Sequence, residues 1–83
     1  MVDLSAINNF RTTLAEDITD TETEITLNDV PSVSPPYRLT IFYQLPANGE
    51  IIEVTDENSN TVTVTRGMED TTAQNWGSGI EVE

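Results

Sequence analysis

The stretch TVTVTRG, residues 61–67, alternates threonine with valine and then stops at an arginine followed by a glycine. Alternation with period two places successive side chains on opposite faces of a strand, and β-branched residues are typical of strands. Similar runs recur along residues 11–83, separated by turn-forming residues about every 8–12 positions. The pattern predicts an all-β fold, a small barrel or sandwich of about six short antiparallel strands.

The chain has 83 residues, which is enough for one small domain with a thin core. It contains neither cysteine nor histidine, so disulfides, thiolate zinc sites and imidazole acid–base chemistry are excluded. Residues 1–10 show only weak apolar spacing and are predicted to form an N-terminal arm, followed by a single β domain over residues 11–83. The arm has neither the basic start nor the apolar run of a signal peptide.

Within the domain, residues 12–18 and 22–28 are predicted to form a hairpin that buries Leu14, Ile18, Ile25 and Leu27. A proline-rich connection follows, because proline cannot donate to a ladder. The next strand is predicted to place Leu39, Ile41, Tyr43 and Leu45 on one face. One helical turn is expected near residues 71–76, capped by Asp70 or Thr71 and ended by Gly77. A last strand should turn Ile80 and Val82 inward.

The arginine of the opening stretch is explained by a hairpin that turns at Asn58, in a three-residue loop from Asp56 to Asn60. This register pairs Val54 with Val62, Ile52 with Val64 and Glu50 with Arg66. Because all six side chains then share one face, Glu50 and Arg66 are predicted to form a structural ion pair that closes the rim of the core. Gly67 would let the backbone turn directly after it.

The charge balance is strongly acidic. Fifteen Asp and Glu oppose three Arg, with no Lys, giving a formal net charge of −12. Such a chain is repelled by nucleic acids and by anionic membranes, so neither is predicted as a partner. Two interpretations of the acidity stay open. One is adaptation to molar salt, in which screening relieves the self-repulsion; the other is an acidic mimic of DNA.

No motif predicts catalysis. Asp56, Asn58 and Asn60 alternate like calcium ligands, but Thr61 and Gly67 occupy the positions where a calcium loop has glycine and glutamate. Sequence-adjacent carboxylates such as Glu16 and Asp17 point to opposite faces of a strand and do not converge. We therefore predict no enzyme activity, no cofactor, no metal and no small-molecule substrate.

Apolar residues outside the predicted core indicate a protein interface. Phe42 and Ile51 fall on the face opposite the apolar ladder, and Leu4, Ile7 and Phe10 lie in the arm. Together these five residues form the candidate interface. The alternative is a closed barrel whose arm covers its own sheet.

Three segments carry a family resemblance: the hairpin TTLAEDITDTETEITL, the strand GEIIEVT and the segment NTVTVTRGMEDTTAQNW, followed by GSGIEV. Their order over residues 11–83 resembles a small β module of tailed-virus structural proteins. The most specific parts are Thr63 to Ala73 and Glu50 to Val54. The sequence departs from the family pattern at Asp70, where the family has glycine, and at Trp76, near the usual histidine.

The resemblance implies a virion structural protein without catalytic residues. The expected position is in the tail, baseplate or fibre attachment, with capsid-surface decoration as the nearest alternative. The partners would be other virion proteins in a symmetric assembly with many copies per particle. Together with the lysine-free acidic composition, the resemblance predicts a virus of a halophilic host.

Overall fold

The computed structural model describes residues 10–43 and 49–83. Its strands are β1 (Thr12–Thr13), β2 (Glu24–Thr26), β3 (Tyr37–Phe42), β4 (Glu50–Asn58), β5 (Thr61–Met68) and β6 (Glu81–Val82). They form one antiparallel sheet in the order β1-β6-β3-β4-β5-β2, curled into a half-barrel. The predicted all-β fold of about six antiparallel strands is confirmed.

The curl of the sheet brings its two outer strands together. Leu14, just after β1, forms a bridge with Leu27, just after β2. The backbone N–H of Ala15 donates to the Thr26 carbonyl at 2.9 Å. The predicted hairpin between these segments is therefore reduced to this one junction, because β1 pairs mainly with β6 and β2 pairs mainly with β5.

The core lies on the inner side of the curled sheet and is built from β-branched and leucine side chains together with one tyrosine. Its buried cluster consists of Leu14, Ile18, Ile25, Leu27, Tyr37, Leu39, Ile41, Ile52, Val54, Val62, Val64 and Val82. All four residues assigned to the first hairpin are among them. Val82 is fully buried and Ile80 packs against the cluster, as was predicted for the last strand. The alternation of apolar residues thus identifies most of the inner face.

Alternation fails at the end of β3. Tyr43 was expected on the inner face, but β3 ends at Phe42 and the Tyr43 side chain is 65% exposed. Phe42 is instead only 4% exposed, although it lies outside the main core cluster. A Cβ on Gly49 would lie 2.9 Å from the Phe42 Cβ, so the backbone at Gly49 packs closely against the base of this side chain. The predicted inward Leu45 lies outside the described residues.

Two irregularities change the register of the β4–β5 hairpin. Asn58 pairs with Thr61, so the turn is the two-residue Ser59–Asn60 link, with Ser59 at φ 57°. The predicted three-residue loop centred on Asn58 is therefore wrong, because Asn58 is still part of β4. Val54 pairs with Val64 instead of Val62. The register shifts between Val54 and Asp56, which turns two successive residues outward.

The predicted helical turn near residues 71–76 is also wrong: no helix occurs in residues 10–43 or 49–83. The chain makes a tight turn just before this stretch, in which the Thr71 N–H donates to the Met68 carbonyl at 3.0 Å. Glu69 and Asp70 occupy this turn with φ of 55° and 69°, in the left-handed region, and Trp76 pairs with Ile18 in an antiparallel bridge in place of a helical turn. Positive φ recurs at Gly79 (87°), and not at Gly77, the predicted helix end.

Candidate functional site

Glu50 and Arg66 form the centre of the most elaborate polar arrangement in the described part of the chain. Glu50 begins β4 and is fully buried, while the Arg66 side chain on β5 is 7% exposed. Arg66 Nε donates to Glu50 Oε2 at 2.7 Å, and Arg66 Nη2 donates to Glu50 Oε1 at 2.9 Å. This is a two-bond arginine–carboxylate pair, the strongest geometry that such a pair adopts.

The carboxylate of Glu50 accepts three further hydrogen bonds. The donors are the Gly67 N–H at 2.9 Å, the Gln74 N–H at 3.1 Å and the Trp76 indole Nε1–H at 2.9 Å. Each donor belongs to the chain that follows the strand residue Arg66. Glu50 therefore fixes the path of the backbone after β5 as well as pairing with the arginine.

The guanidinium of Arg66 is equally well satisfied. Besides Glu50, it donates to the backbone carbonyls of Thr19 at 2.7 Å, Glu22 at 2.8 Å and Gln74 at 2.7 Å. An arginine has five N–H groups, and these bonds use all five. We call the two side chains and the groups bonded to them the Glu50–Arg66 cluster.

Burial and hydrogen bonding act in opposite directions on the pKa of Glu50. Burial alone raises the pKa, since it disfavours the charged carboxylate. The bonds from Arg66, from the Trp76 indole and from the backbone of Gln74 and Gly67 outweigh burial and leave the pKa below its usual value. Glu50 is therefore charged at neutral pH despite having no exposed surface.

The register of β4 and β5 places the Arg66 side chain next to Glu50. The pairing shifts between Ile51 and Glu53, so that an extra residue is accommodated on β5 around Arg66 and Gly67. Gly67 has φ 59°, and a Cβ there would lie 3.1 Å from the Thr71 carbonyl oxygen. Backbone conformation and limited space therefore both favour glycine at this bulge. The turn predicted directly after Arg66 is instead a bulge within the strand, because β5 continues through Gly67 to Met68.

The chain between β5 and β6 wraps over the cluster. We call residues 69–77 the 69–77 segment. Ile51 N–H donates to Thr71 Oγ1 at 3.0 Å, and the backbone groups of Ile18 and Trp76 bond to each other at 2.8 and 3.0 Å. Asp70 stands where the resemblance expects glycine, and it adopts the positive φ that glycine favours.

The other two arginines make more exposed contacts. Arg38 lies 2.6 Å from Glu69 and 3.4 Å from Glu53, with its side chain 45% exposed. Arg11 lies 2.8 Å from Glu83. Exposed pairs of this kind contribute little to stability. Arg66 is therefore the arginine on which the local structure depends most.

A second buried polar contact lies toward the far end of the β4–β5 hairpin. The Tyr37 hydroxyl donates a hydrogen bond to the Glu57 carboxylate, and the Glu57 residue is half-buried. Burial raises the pKa of Tyr37 well above its usual value, and the bond to Glu57 raises it further. Tyr37 thus stays a neutral hydrogen-bond donor over the whole ordinary pH range.

The sequence-predicted site residues fall in different places. Glu50, Arg66 and Gly67 come together in the cluster. Phe42 and Phe10 do not form the predicted open interface: Phe42 is buried, and Phe10 packs against the core. Ile51 is half-buried on the outer face, and Leu4 and Ile7 lie outside the described residues.

Sequence reasoning missed how many partners the ion pair has. Trp76 packs against the core cluster and also donates its indole N–H to the Glu50 carboxylate. The carbonyls of Thr19, Glu22 and Gln74 carry no side-chain signal, so alternation and spacing could not reveal them. A lone tryptophan that follows an arginine–glycine pair by about ten residues was the only available indication.

The arrangement holds backbone in place and does not offer a reactive group. Both oxygens of Glu50 are occupied by donors, which leaves neither free to take a proton from a substrate. Across residues 10–43 and 49–83, no three carboxylates converge closely enough to hold a metal ion. No helix in this same part of the chain is long and apolar enough to cross a membrane.

Comparison with known sequences gives no assignment: no protein-family model matches the chain, and no curated protein matches it.

Proposed function

We propose that this protein is a non-enzymatic structural component of a tailed-virus particle, associated with the tail, the baseplate or the attachment of a fibre. The observation that carries the proposal is the convergence of the two most specific stretches of the resemblance. Glu50 to Val54 lies on β4, and Thr63 to Ala73 covers most of the neighbouring β5 and the chain after it. One charged residue of each stretch, Glu50 and Arg66, meets the other in the buried cluster. The motif residues therefore act in folding, as expected of a building block without catalytic residues.

The shape of the domain suits such a role. An irregular segment is held in a defined path by buried charge, and it presents Glu69, Asp70, Thr72 and Asn75 on the surface. Tyr43 adds a large exposed aromatic side chain, of the kind enriched in protein interfaces. The proposed partners are other virion proteins, bound in many copies on a symmetric scaffold.

The acidic composition supports a halophilic host. The three arginines each pair with glutamate, and the majority of the fifteen acidic residues then have no basic group to pair with. Molar salt reduces the Debye length to about 3 Å and so removes most of the resulting repulsion. This part of the proposal rests on composition together with the exposure of many of the carboxylates.

The deciding experiment is quantitative mass spectrometry of particles purified from the producing host, followed by labelling with an antibody to this chain. The proposal expects a fixed copy number per particle and label on the tail. Label spread over the head would assign the protein to capsid-surface decoration. A protein absent from particles that displaces DNA from a DNA-binding protein would be an acidic DNA mimic, and the proposal would be overturned.

A further inference from the structure

The 69–77 segment is attached to the protein differently from the six strands. The twelve residues of the buried core cluster all lie outside it, and Trp76 is its one residue that packs against that cluster. Its other attachments are polar. Gln74 and Trp76 donate to Glu50 and Arg66 donates to the Gln74 carbonyl, while the exposed Arg38–Glu69 ion pair, the Asp20–Asn75 bond and the Ile18–Trp76 backbone pair lie nearer its ends. Regions with few buried apolar contacts open at a lower free-energy cost than the core.

The ion pair itself does not depend on this segment. Glu50 belongs to β4 and Arg66 to β5, so their side chains stay adjacent as long as these two strands are paired. If the 69–77 segment moves away, water can replace the donors of Gln74 and Trp76. The opened state would then contain a hydrated ion pair and not a stranded charge, which keeps opening cheaper than unfolding.

We propose that the 69–77 segment opens as one unit while strands β1 to β6 remain paired, and that the negative charge of Glu50 is what holds it closed. The inference is independent of the proposed function, since it rests only on the cluster. The ionised carboxylate is the common acceptor for Arg66, Gln74 and Trp76. A neutral amide at position 50 cannot accept all these bonds, and it leaves the Arg66 charge buried without its counter-ion, which favours the hydrated, open state.

Glu50→Gln is the direct test, and Glu53→Gln is its matched control. Glu53 lies on the same strand and also pairs with an arginine, but it is half-exposed on the outer face. The two substitutions remove the same charge from the same strand, so the change in net charge is identical. Only the first removes an acceptor of the 69–77 segment, since after Glu53→Gln the shorter Arg38–Glu69 pair of 2.6 Å is still in place.

The measurement is native-state hydrogen exchange by NMR in about 1 M sodium chloride, chosen to screen surface charge. The Trp76 indole N–H and the Gln74 N–H report on the segment, since both donate to Glu50. The Val64 N–H reports on the strands, since it donates to the Thr23 carbonyl at 2.8 Å. The same exchange rates are recorded at several denaturant concentrations below the unfolding transition.

In the wild type, the two segment protons should exchange at least about tenfold faster than Val64, with little dependence on denaturant, as for a local opening. Glu50→Gln should accelerate the two segment protons by about tenfold or more and Val64 much less, whereas Glu53→Gln should leave all three unchanged. The proposal is overturned if the three wild-type protons share one strong denaturant dependence. It is also overturned if a folded Glu50→Gln protein exchanges all three equally faster. If that variant does not fold, the wild-type comparison alone decides.

Discussion

Glu50 and Ile52 are two residues apart on β4, face the same interior and are both fully buried, yet they are stabilised by different interactions. Ile52 belongs to the apolar cluster, where any side chain of suitable volume would bury similar surface. Glu50 is stable only because five donors satisfy it. The stability of the apolar interior therefore depends on side-chain volume. The stability of the charged end, which is the Glu50–Arg66 cluster, depends on the chemical identity of each group.

The difference has an energetic consequence. Losing part of an apolar side chain leaves a cavity, and neighbouring residues can partly relax into it. Losing one member of the Glu50–Arg66 cluster leaves a buried charge without its counter-ion and several backbone groups without partners. Substitutions in the charged end should therefore lower the stability of the protein more than substitutions in the apolar interior, although the charged end contributes little apolar surface.

Arg66→Met should have the largest effect. It leaves Glu50 buried without a counter-ion and removes donors from the carbonyls of Thr19, Glu22 and Gln74. The free energy of unfolding should fall by about 4 kcal/mol, at the level expected for breaking a buried ion pair. The measurement is chemical denaturation followed by far-ultraviolet circular dichroism. A loss below about 1 kcal/mol, the level of an exposed pair, would contradict a buried cluster.

Ile52→Ala tests the apolar region next to the cluster. It should lower the free energy of unfolding by about 3 kcal/mol, through lost burial and a residual cavity. Unlike Arg66→Met, it should leave the Trp76 indole N–H resonance near its wild-type position, because Glu50 still accepts that bond. A large shift of this resonance would show that the two regions are coupled through β4 and are not independent.

Lowering the pH should reduce the contribution of the Glu50–Arg66 cluster to the stability of the protein. The pKa of Glu50 is lowered by folding, so its contribution to stability is present above its unfolded-state pKa and is lost as the pH falls through its folded-state pKa. The destabilisation caused by Glu50→Gln should therefore shrink as the pH is lowered through that range, because the protonated glutamate resembles glutamine. Urea denaturation of both proteins over a pH series checks this. A difference that stays constant down to the acid limit would contradict an ionised Glu50.

Salt should change the electrostatic repulsion at the surface and have little effect on the Glu50–Arg66 cluster. The melting temperature should rise from low salt to about 1 M sodium chloride, because screening relieves repulsion among the exposed carboxylates. The free-energy cost of Arg66→Met should change little over the same range, since buried pairs are screened far less than exposed ones. Calorimetry of both proteins at matched salt concentrations tests this, and a cost that disappears at high salt would place Arg66 in solvent.

The strands were predictable because each buries one face, so that alternation in the sequence records burial directly. Glu50 and Arg66 could be paired because each ends an apolar run on the same face. The register was not predictable, since the shifts near Ile51 and Val54 add residues that alternation does not mark. The path of residues 69–77 was likewise hidden, because it is fixed by backbone groups bonding to Glu50 and Arg66 and not by side-chain pattern.

The central claim is that a buried charge cluster, and not apolar contact, closes this end of the sheet. A double-mutant cycle of Glu50→Leu and Arg66→Met, measured by chemical denaturation, tests it most directly. The same cycle at Glu53 and Arg38, with Glu53→Leu and Arg38→Met, is the exposed control. The account predicts a coupling energy of about 2–3 kcal/mol for the buried pair and below about 0.5 kcal/mol for the control. The double variant at Glu50 and Arg66 should still be less stable than the wild type, because the N–H groups of Gly67 and Gln74 lose their acceptor. Equal, near-zero coupling at both pairs would contradict the account.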